Sequence, residues 1–232
     1  MKLSLSFDDG CKEDLILAEK LSELDIKATF FVPKNNIEGR KTLTKFDVKE
    51  IDNMGHQVES HSLDHIYLTK LDFDKAYNQI EGGKKYLEDI LGKEVNGFCF
   101  PGGKYNKSLV KLLKKLNIRY ARTVHNLHFM KSGFLINPSM QFFPHTPKSI
   151  FVNYIKKLPI SSTQIFLKTF LIKDPEQRAK EIFSIAKLSQ KRNFFHLWCH
   201  SWELIDYQLL NKYLFFIEFL KENSSKSDWT VL

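Results

Sequence analysis

Apolar and polar positions along the chain predict an alternation of strands and helices. Near the N-terminus, Leu3, Leu5 and Phe7 alternate with serines, which is the two-residue period of a strand with one face in a core. Further strands are predicted at 27–33, 56–60, around Phe98, and at 119–124, 193–200 and 229–232. Apolar stripes at helical spacing predict helices at 11–24, 44–54, 72–91, 106–116, 174–186 and 209–220.

This repeated order of strand and helix favours parallel strands that carry functional groups at their carboxyl ends. The chain has 232 residues, a common size for a single α/β barrel. We therefore expect residues 1–232 to form one domain. The segment 125–173 does not follow this alternation of strands and helices, because four prolines interrupt it. Residues 148–157 nevertheless fit a helix. The segment is either a lid beside the substrate or an irregular connection of the barrel.

The formal net charge of +8 raises the question of nucleic-acid binding. The lysines, however, are scattered over helix faces and mixed with 27 acidic residues. We therefore expect a solvated surface and no nucleic-acid partner. A weaker expectation is that the charge attracts anionic sugars linked to nucleotides or phospholipids.

The cysteines and the lengths of the apolar runs indicate the cellular compartment of the protein. Cys11, Cys99 and Cys199 form neither an even framework nor a Cys-x-x-Cys pair, which indicates a reducing compartment. The first predicted strand begins at Lys2 and leaves no room for a signal peptide. No apolar run approaches membrane-spanning length. These observations predict a cytoplasmic protein without an integral membrane segment, and they leave the oligomeric state open.

Two adjacent carboxylates, Asp8 and Asp9, emerge at the end of the first predicted strand and are followed by Gly10. Neighbouring side chains on extended backbone diverge, so one carboxylate can bind a metal while the other faces whatever the metal activates. Taken alone, Asp-Asp-Gly is more often ordinary turn chemistry that ends a strand. The interpretation as half of a metal-hydrolase site therefore depends on partners elsewhere.

The partners are His61 and His65, which follow the predicted strand 56–60. Imidazoles four residues apart meet on one face of a helical turn, so their nitrogens can converge on one ion. With one aspartate they make three protein ligands, the number that a catalytic zinc site keeps while a fourth position stays open for water. The alternative is a pair of solvated loop histidines that cap a helix.

These motifs resemble those of the polysaccharide deacetylases, the carbohydrate esterase family 4. Ser-Phe-Asp-Asp-Gly is followed about fifty residues later by His-Ser-x-x-His. The segment 98–106 is similar to the family's aromatic, proline and glycine loop, and 197–200 matches its late Leu-x-x-His element. The four blocks come in the family's order. The resemblance implies a distorted (β/α) barrel with seven or eight mostly parallel strands.

The resemblance also implies a role for each matching residue. A divalent cation, with zinc as the best match to two imidazoles and a carboxylate, would be held by Asp9, His61 and His65. Asp8 would be the general base, His200 the general acid, and the Gly102 N–H a donor to the developing oxyanion. Trp198 and Tyr105 are candidates for a wall against the sugar ring, although core packing is the commoner role of such residues.

The sequence departs from the family pattern at two positions. Cys99 stands where the family usually has an arginine that orients the base. Arg122 occupies the neighbourhood of the aspartate that tunes the acid histidine. We expect Arg122 to pair with a nearby acid rather than with an anion on the substrate. His196 is expected either in the core or as a group that supports the site residues from behind, and His145 is a candidate for the lining of the pocket.

The implied function is removal of an acetyl group from an N-acetylated sugar or glycan intermediate, which is either free or linked to a nucleotide or a lipid. The nearest alternative is hydrolysis of another C–N bond, as in a sugar deformylase or a cyclic-ureide hydrolase. A different class is a noncatalytic carbohydrate-binding protein on the same fold. The complete set of metal and acid–base residues argues against that class, whereas the missing arginine and aspartate keep it open.

Overall fold

A computed structural model describes residues 1–155 and 158–232. Within them, strands and helices alternate as the sequence predicts. The strands are β1 (Lys2–Asp8), β2 (Thr29–Val32), β3 (Gln57–Ser60), β4 (Gly97–Cys99), β5 (Tyr120–Arg122), β6 (Leu135–Ile136), β7 (Met140–Gln141) and β8 (Phe194–His200). The α-helices are α1 (Glu13–Glu23), α2 (Lys45–Asn53), α3 (Phe73–Leu91), α4 (Lys107–Lys115), α5 (Pro147–Ile155), α6 (Thr163–Thr169), α7 (Pro175–Lys187), α8 (Ser201–Asp206) and α9 (Leu210–Glu222).

The strands form one sheet in the order β6-β5-β4-β3-β2-β1-β8-β7, and every pair between neighbouring strands is parallel. The two edge strands, β6 and β7, are separated in the chain by residues 137–139 only. Because such a short connection cannot span an open sheet, the sheet must curl until its edges meet. This confirms the predicted distorted (β/α) barrel.

Side-chain caps determine where several helices begin, as the sequence predicts. The side chain of Thr44 accepts a hydrogen bond from the first turn of α2, and Asp72, Asn106 and Asp174 do the same for α3, α4 and α7. Each cap satisfies an N–H that has no partner within its helix. Helix α3 ends at Gly92, which takes the left-handed conformation typical of a helix end.

The barrel interior is filled by apolar side chains from several strands and from the end of the chain, namely Phe31, Cys99, Ile136, Phe194 and Leu232. The predicted strand at 229–232 is wrong. Trp229 makes a single bridge with Leu3, because β1 pairs with β2 only through Ser6 and Phe7 and leaves room beside its first half. The tail then turns inward and buries Leu232.

The irregular segment 125–173 contains more structure than the sequence indicates. It supplies β6 and β7, and then α5, a 3-10 turn at Ile160–Ser162 and α6. The predicted helix 148–157 corresponds to α5, although Lys156 and Lys157 lie outside the described residues. In the part of the chain that the structure describes, no helix is both long and apolar enough to cross a bilayer.

Candidate active site

The carboxyl ends of β1 and β8 bring the two aspartates beside the candidate acid. Asp8 is the last residue of β1 and is in register with His200, the last residue of β8. The chain turns sharply at the next residue, since Asp9 has a positive φ of 78°. The two carboxylates therefore point in different directions, as the motif predicts, and both are buried.

His61 and His65 are brought together by a loop rather than by the predicted helical turn. Ser62 and His65 have positive φ values of 68° and 53°, which a right-handed helix does not contain. The loop lies against α3 at Gly83, where an added Cβ would come within 2.5 Å of the Ser62 carbonyl carbon. A glycine at this position of α3 thus permits the approach that sets the two imidazoles side by side.

The nitrogen and oxygen atoms of Asp9, His61 and His65 have the spacing of a metal donor set. Asp9 Oδ1 lies 3.6 Å from His61 Nε2 and 3.1 Å from His65 Nε2. Ligands of a tetrahedral zinc ion lie about 3.4 Å apart. The Nδ1 of His61 is 2.8 Å from the carbonyl oxygen of Cys99, so Nδ1 carries the proton and Nε2 keeps its lone pair for an ion. These residues fit a divalent metal.

A second donor group, Asp8, His61 and Cys99, also converges, but its chemistry is unfavourable. Burial raises the pKa of the Cys99 thiol well above its ordinary value, which disfavours the thiolate that would bind a metal. Asp8 Oδ2 is already in an ion pair with Arg122. The Asp9 set is therefore the better candidate metal site.

Arg122 pairs with a nearby acid, as predicted, and that acid is the candidate base Asp8. The guanidinium is fully buried and lies over the rings of Trp198 and Phe31, 4.6 Å and 5.4 Å from their centroids. Burial tends to raise the pKa of Asp8, but the charges of Arg122, His61 and His200 together outweigh it and the pKa is lowered. Arg122 on β5 thus supplies the charge partner that the glycine loop, with Cys99, lacks.

His200 has a carboxylate partner that sequence reasoning missed. Its Nδ1 lies 2.9 Å from Glu203, and its Nε2 lies 3.7 Å from Asp9 Oδ2. Burial tends to lower the pKa of His200, but the charge of Asp9 and the bond to Glu203 outweigh it and raise the pKa to about 9. Glu203 lies three residues after His200, and this short spacing is the feature of the sequence that could have indicated the pair.

Trp202 fixes the position of His200 from the other side. Its indole stacks on the His200 ring at 5.4 Å between centroids, and its N–H donates to Asp9 Oδ2 at 2.9 Å. The guanidinium of Arg40 lies 3.5 Å from the indole ring. Trp202 therefore links the candidate acid to the candidate metal site.

A groove of about 540 Å³ opens over these groups. Of the residues predicted from sequence, it is lined by Asp8, Asp9, His61, His65, Gly102, His145, Trp198 and His200. Tyr105 is not among the lining residues, so its assignment as a wall against the sugar is not supported. Its ring stacks on Phe100 at 5.0 Å, because the chain turns away into α4 at Asn106.

Gly102 lies in the groove with a positive φ of 59°. A side chain here would overlap the ring of Tyr67, which also lines the groove. The loop after His65 thus supplies an aromatic ring to the space beside Gly102. The predicted role of the Gly102 N–H stays a prediction.

His196 and His145 lie in different environments, as the sequence predicts. His196 is fully buried and lies 2.9 Å from the hydroxyl of Ser6, so it belongs to the core. His145 lines the groove, and burial together with the charge of Arg178 lowers its pKa to about 4. His145 is therefore neutral at physiological pH.

The fold and the donor set place the chain among (β/α) barrel proteins with a metal site at the carboxyl ends of the strands. Residues 1–121 match the family model described as polysaccharide deacetylase. Because this match covers more than half of the chain, the chain belongs to the polysaccharide deacetylase family.

In sequence, the chain is 30% identical over 134 residues to the peptidoglycan-N-acetylglucosamine deacetylase PgdA of Listeria monocytogenes. The aligned part is 57% of this chain and 28% of that protein. The chain thus spans less than a third of the length of this relative.

In structure, the chain is similar to a Mycobacterium smegmatis protein assigned to the polysaccharide deacetylases, with a TM-score of 0.64 and 17% identity over 99% of this chain and 86% of the other. It is also similar to the Streptococcus pyogenes deacetylase PplD in complex with acetate, with a TM-score of 0.56 and 23% identity over 65% and 69% of the two chains. At these identities the similarity establishes a shared fold.

Proposed function

We propose that this protein is a metal-dependent deacetylase that removes the acetyl group of an N-acetylated sugar or glycan intermediate. The observation that carries the proposal is the convergence, in one groove, of a three-residue metal donor set with a base and an acid in opposite protonation states. PgdA is named a peptidoglycan-N-acetylglucosamine deacetylase, and PplD was solved with acetate, the product of such a reaction.

Asp9, His61 and His65 would hold the ion, for which we propose zinc because two imidazoles and one carboxylate suit it. When bound, zinc lowers the pKa of water to about 7 and polarises the acyl oxygen. The His61 bond to the Cys99 carbonyl and the Trp202 bond to Asp9 hold two of these ligands in place. Ligand orientation of this kind strengthens metal binding.

Asp8 is proposed to take a proton from the attacking water. Its pKa is lowered, so the carboxylate is ionised at neutral pH and can act as a base. One oxygen is fixed by Arg122, whereas Oδ1 has no hydrogen-bond partner among the described residues. Arg122 therefore orients the carboxylate and leaves one oxygen for the proton.

His200 is proposed to donate a proton to the sugar nitrogen as the C–N bond breaks. The carboxylate of Glu203, 2.9 Å from Nδ1, favours the protonated imidazole that this step requires. The transfer releases the amine, and the oxygen of water remains in acetate. We propose that the Gly102 N–H stabilises the developing oxyanion and that Trp198, which lines the groove, contacts the sugar ring.

We further propose that residues 1–232 act as one catalytic domain. Three buried cysteines without a disulfide support a reducing, cytoplasmic compartment. The substrate would then be an N-acetylated sugar, free or linked to a nucleotide or a lipid.

The test is release of acetate from N-acetylated oligosaccharides by the zinc-loaded protein, with formamides and cyclic ureides as competing substrates. We expect acetate release, and we expect Asp8→Asn to lower kcat at least 100-fold while zinc still binds. Release of formate or ring opening without acetate release would favour another C–N hydrolase. Sugar binding without any turnover in the parent would favour a noncatalytic binding protein.

A further inference from the structure

Charged residues are distributed unevenly along the chain. Between Val95 and Lys173 there are thirteen lysines and arginines and no aspartate or glutamate. This segment carries a charge of +13, so at a total of +8 the rest of the chain carries −5. The even mixing of acids and bases that the whole composition suggests therefore does not hold along this segment, in which Arg122 and Arg119 are paired with acids from outside it.

The same segment exposes large apolar side chains on α6 and the turn before it. Ile160, Leu167 and Leu171 are 94%, 62% and 66% exposed. Leu167 lies on α6, Ile160 in the 3-10 turn before it and Leu171 just after it. Ile165 and Phe166 of the same helix are buried and attach it to the core. The three side chains therefore face solvent next to a helix that is packed against the core.

Helix α5 extends this apolar surface. Phe151 is half exposed, and its ring packs on Phe166 of α6 at 6.3 Å between centroids. Lys148 lies one helical turn before Phe151 and is exposed. We call the exposed surface formed by Lys148, Phe151, Ile160, Leu167, Lys168 and Leu171 the α5–α6 face.

The α5–α6 face adjoins the active-site groove. Val152, the residue after Phe151, is exposed and also lines the groove. Lys104 lines the groove as well and is exposed. The first acid after the segment, Asp174, is in an ion pair with Lys212. Its negative charge is therefore neutralised by Lys212 and does not offset the lysines of the face.

We propose that the α5–α6 face docks on the surface of an anionic lipid bilayer. Helices of this kind bury apolar side chains at the boundary between headgroups and acyl chains while lysines attract anionic headgroups. The contact would present the groove to N-acetylated sugars carried on membrane lipids, and this second statement rests on the proposed function. A bilayer would bury exposed aliphatic side chains such as Ile160, whereas a nucleic-acid backbone would leave them in water. The apolar part of the face therefore favours a bilayer over a nucleic acid.

The test uses the full chain and vesicles of phosphatidylglycerol mixed with phosphatidylcholine, in co-sedimentation at 0.1 M salt. We expect binding that falls with rising salt and with removal of phosphatidylglycerol. The double variant Leu167→Gln/Leu171→Gln should bind at least about tenfold more weakly. Lys148→Gln/Lys168→Gln should bind about tenfold more weakly. Leu188→Gln is the matched control, since Leu188 is 86% exposed just after α7, and it should bind as the parent does.

Four results would overturn the proposal. The parent could stay in the supernatant with anionic vesicles, or Leu188→Gln could lose as much binding as the α5–α6 variants. A duplex oligonucleotide could displace the protein from vesicles below the lipid concentration that binds it, which would make nucleic acid the partner. Self-association without lipid that Leu167→Gln/Leu171→Gln abolishes would make a second copy the partner.

Turnover of a soluble N-acetylated oligosaccharide separates docking from catalysis. The α5–α6 variants should keep the parent's zinc affinity and soluble turnover, because none of the four substituted residues lines the groove. Vesicle binding without turnover would refute the proposed function and leave docking intact. Turnover without vesicle binding would refute docking alone.

Discussion

Asp8 and Arg122 form a buried ion pair that joins the first strand of the barrel to the fifth. Neither side chain has appreciable contact with solvent, so each charge depends on the other to offset its lost hydration. The pair orients the carboxylate and keeps it ionised. In its proposed role as the base, Asp8 would be active over a wide pH range, but it would depend strongly on a single partner.

Substitution of Arg122→Gln should damage both stability and the pH profile. An unpaired buried carboxylate should lower the free energy of unfolding by about 3–5 kcal/mol at pH 7. Since Arg122 lowers the pKa of Asp8, its loss raises that pKa and should move the acid limb of kcat/KM to higher pH. The stability difference should narrow as the pH falls and Asp8 is protonated in both proteins. Denaturant titrations and pH–rate profiles measure these effects.

Arg119→Gln is the matched control for Arg122→Gln. Arg119 pairs with Glu94 at 3.2 Å on the surface, where such a pair contributes about 1 kcal/mol or less. Its loss should leave the pH profile unchanged. Arg122→Lys keeps the positive charge, so the acid limb of its kcat/KM profile should lie between those of the parent and Arg122→Gln. If Arg122→Gln lost stability without moving the acid limb, the orienting role of Arg122 would be wrong.

Glu203→Gln should move the alkaline limb of activity. The carboxylate of Glu203 helps to raise the pKa of His200 to about 9 against the opposing effect of burial, and a neutral amide removes that contribution. His200 should then lose its proton about one unit lower, so kcat should decline earlier as the pH rises. Glu176→Gln, which breaks a surface pair with Lys180, is the control. An unchanged alkaline limb in Glu203→Gln would exclude this role of Glu203.

The convergence of the candidate metal donor set could be predicted from sequence, whereas the partner of Asp8, the candidate base, could not. Asp9, His61 and His65 lie in two short motifs, and each motif follows a strand that ends at the same edge of a parallel sheet. Arg122 and Asp8 are 114 positions apart. Their pairing depends on how far the sheet curls, and no local pattern contains that information.

At the scale of elements, the loop that carries His61 and His65 depends on one position in α3. Spacing alone predicts a helical turn, and the loop instead uses two residues with positive φ. It can do so because Gly83 lets the Ser62 carbonyl approach the helix. The signal in the sequence is a pair of glycines inside an otherwise regular helix, which usually marks a close approach of backbone.

Gly83→Ala should weaken zinc binding at least about tenfold. Its Cβ would lie 2.5 Å from the Ser62 carbonyl carbon, and backbone at that distance can only move away, which separates the two imidazoles. Isothermal titration with zinc measures the loss. Gly82→Ala is the control, since its Cβ meets only the end of the Leu63 side chain at 3.2 Å and alanine is also the better helix former. Equal zinc affinities of the two variants would contradict this account of the loop.

For the whole molecule, barrel closure was the least predictable feature. The repeated βα order and the helix caps follow from local patterns, and they are present as expected. The two edge strands that meet, β6 and β7, however, have two residues each. Strands this short show no periodicity, and Pro138 between them indicates irregular structure. The sequence pattern is therefore irregular at the place where the sheet closes, and it gives no sign of the closure.

A metal ion at the mouth of this barrel should stabilise the whole fold. Its candidate ligands come from the end of β1 and from the loop after β3, so the donor set exists only in the folded state. With free zinc at about 100 times the dissociation constant, linkage adds about 2.7 kcal/mol, which is about 5–10 °C in Tm for a chain of this length. Scanning calorimetry with zinc, and then with a chelator, measures the shift.

His65→Gln should abolish the zinc-dependent part of this shift, since it leaves two ligands. His128→Gln should keep it, because His128 lies outside the donor set with its Nδ1 3.1 Å from two backbone carbonyl oxygens. The comparison separates specific binding from zinc on surface histidines, which would respond equally to both substitutions. A parent protein whose Tm is unchanged by zinc and chelator would show that the three residues hold no metal, and the proposed chemistry would then lack its source of activated water.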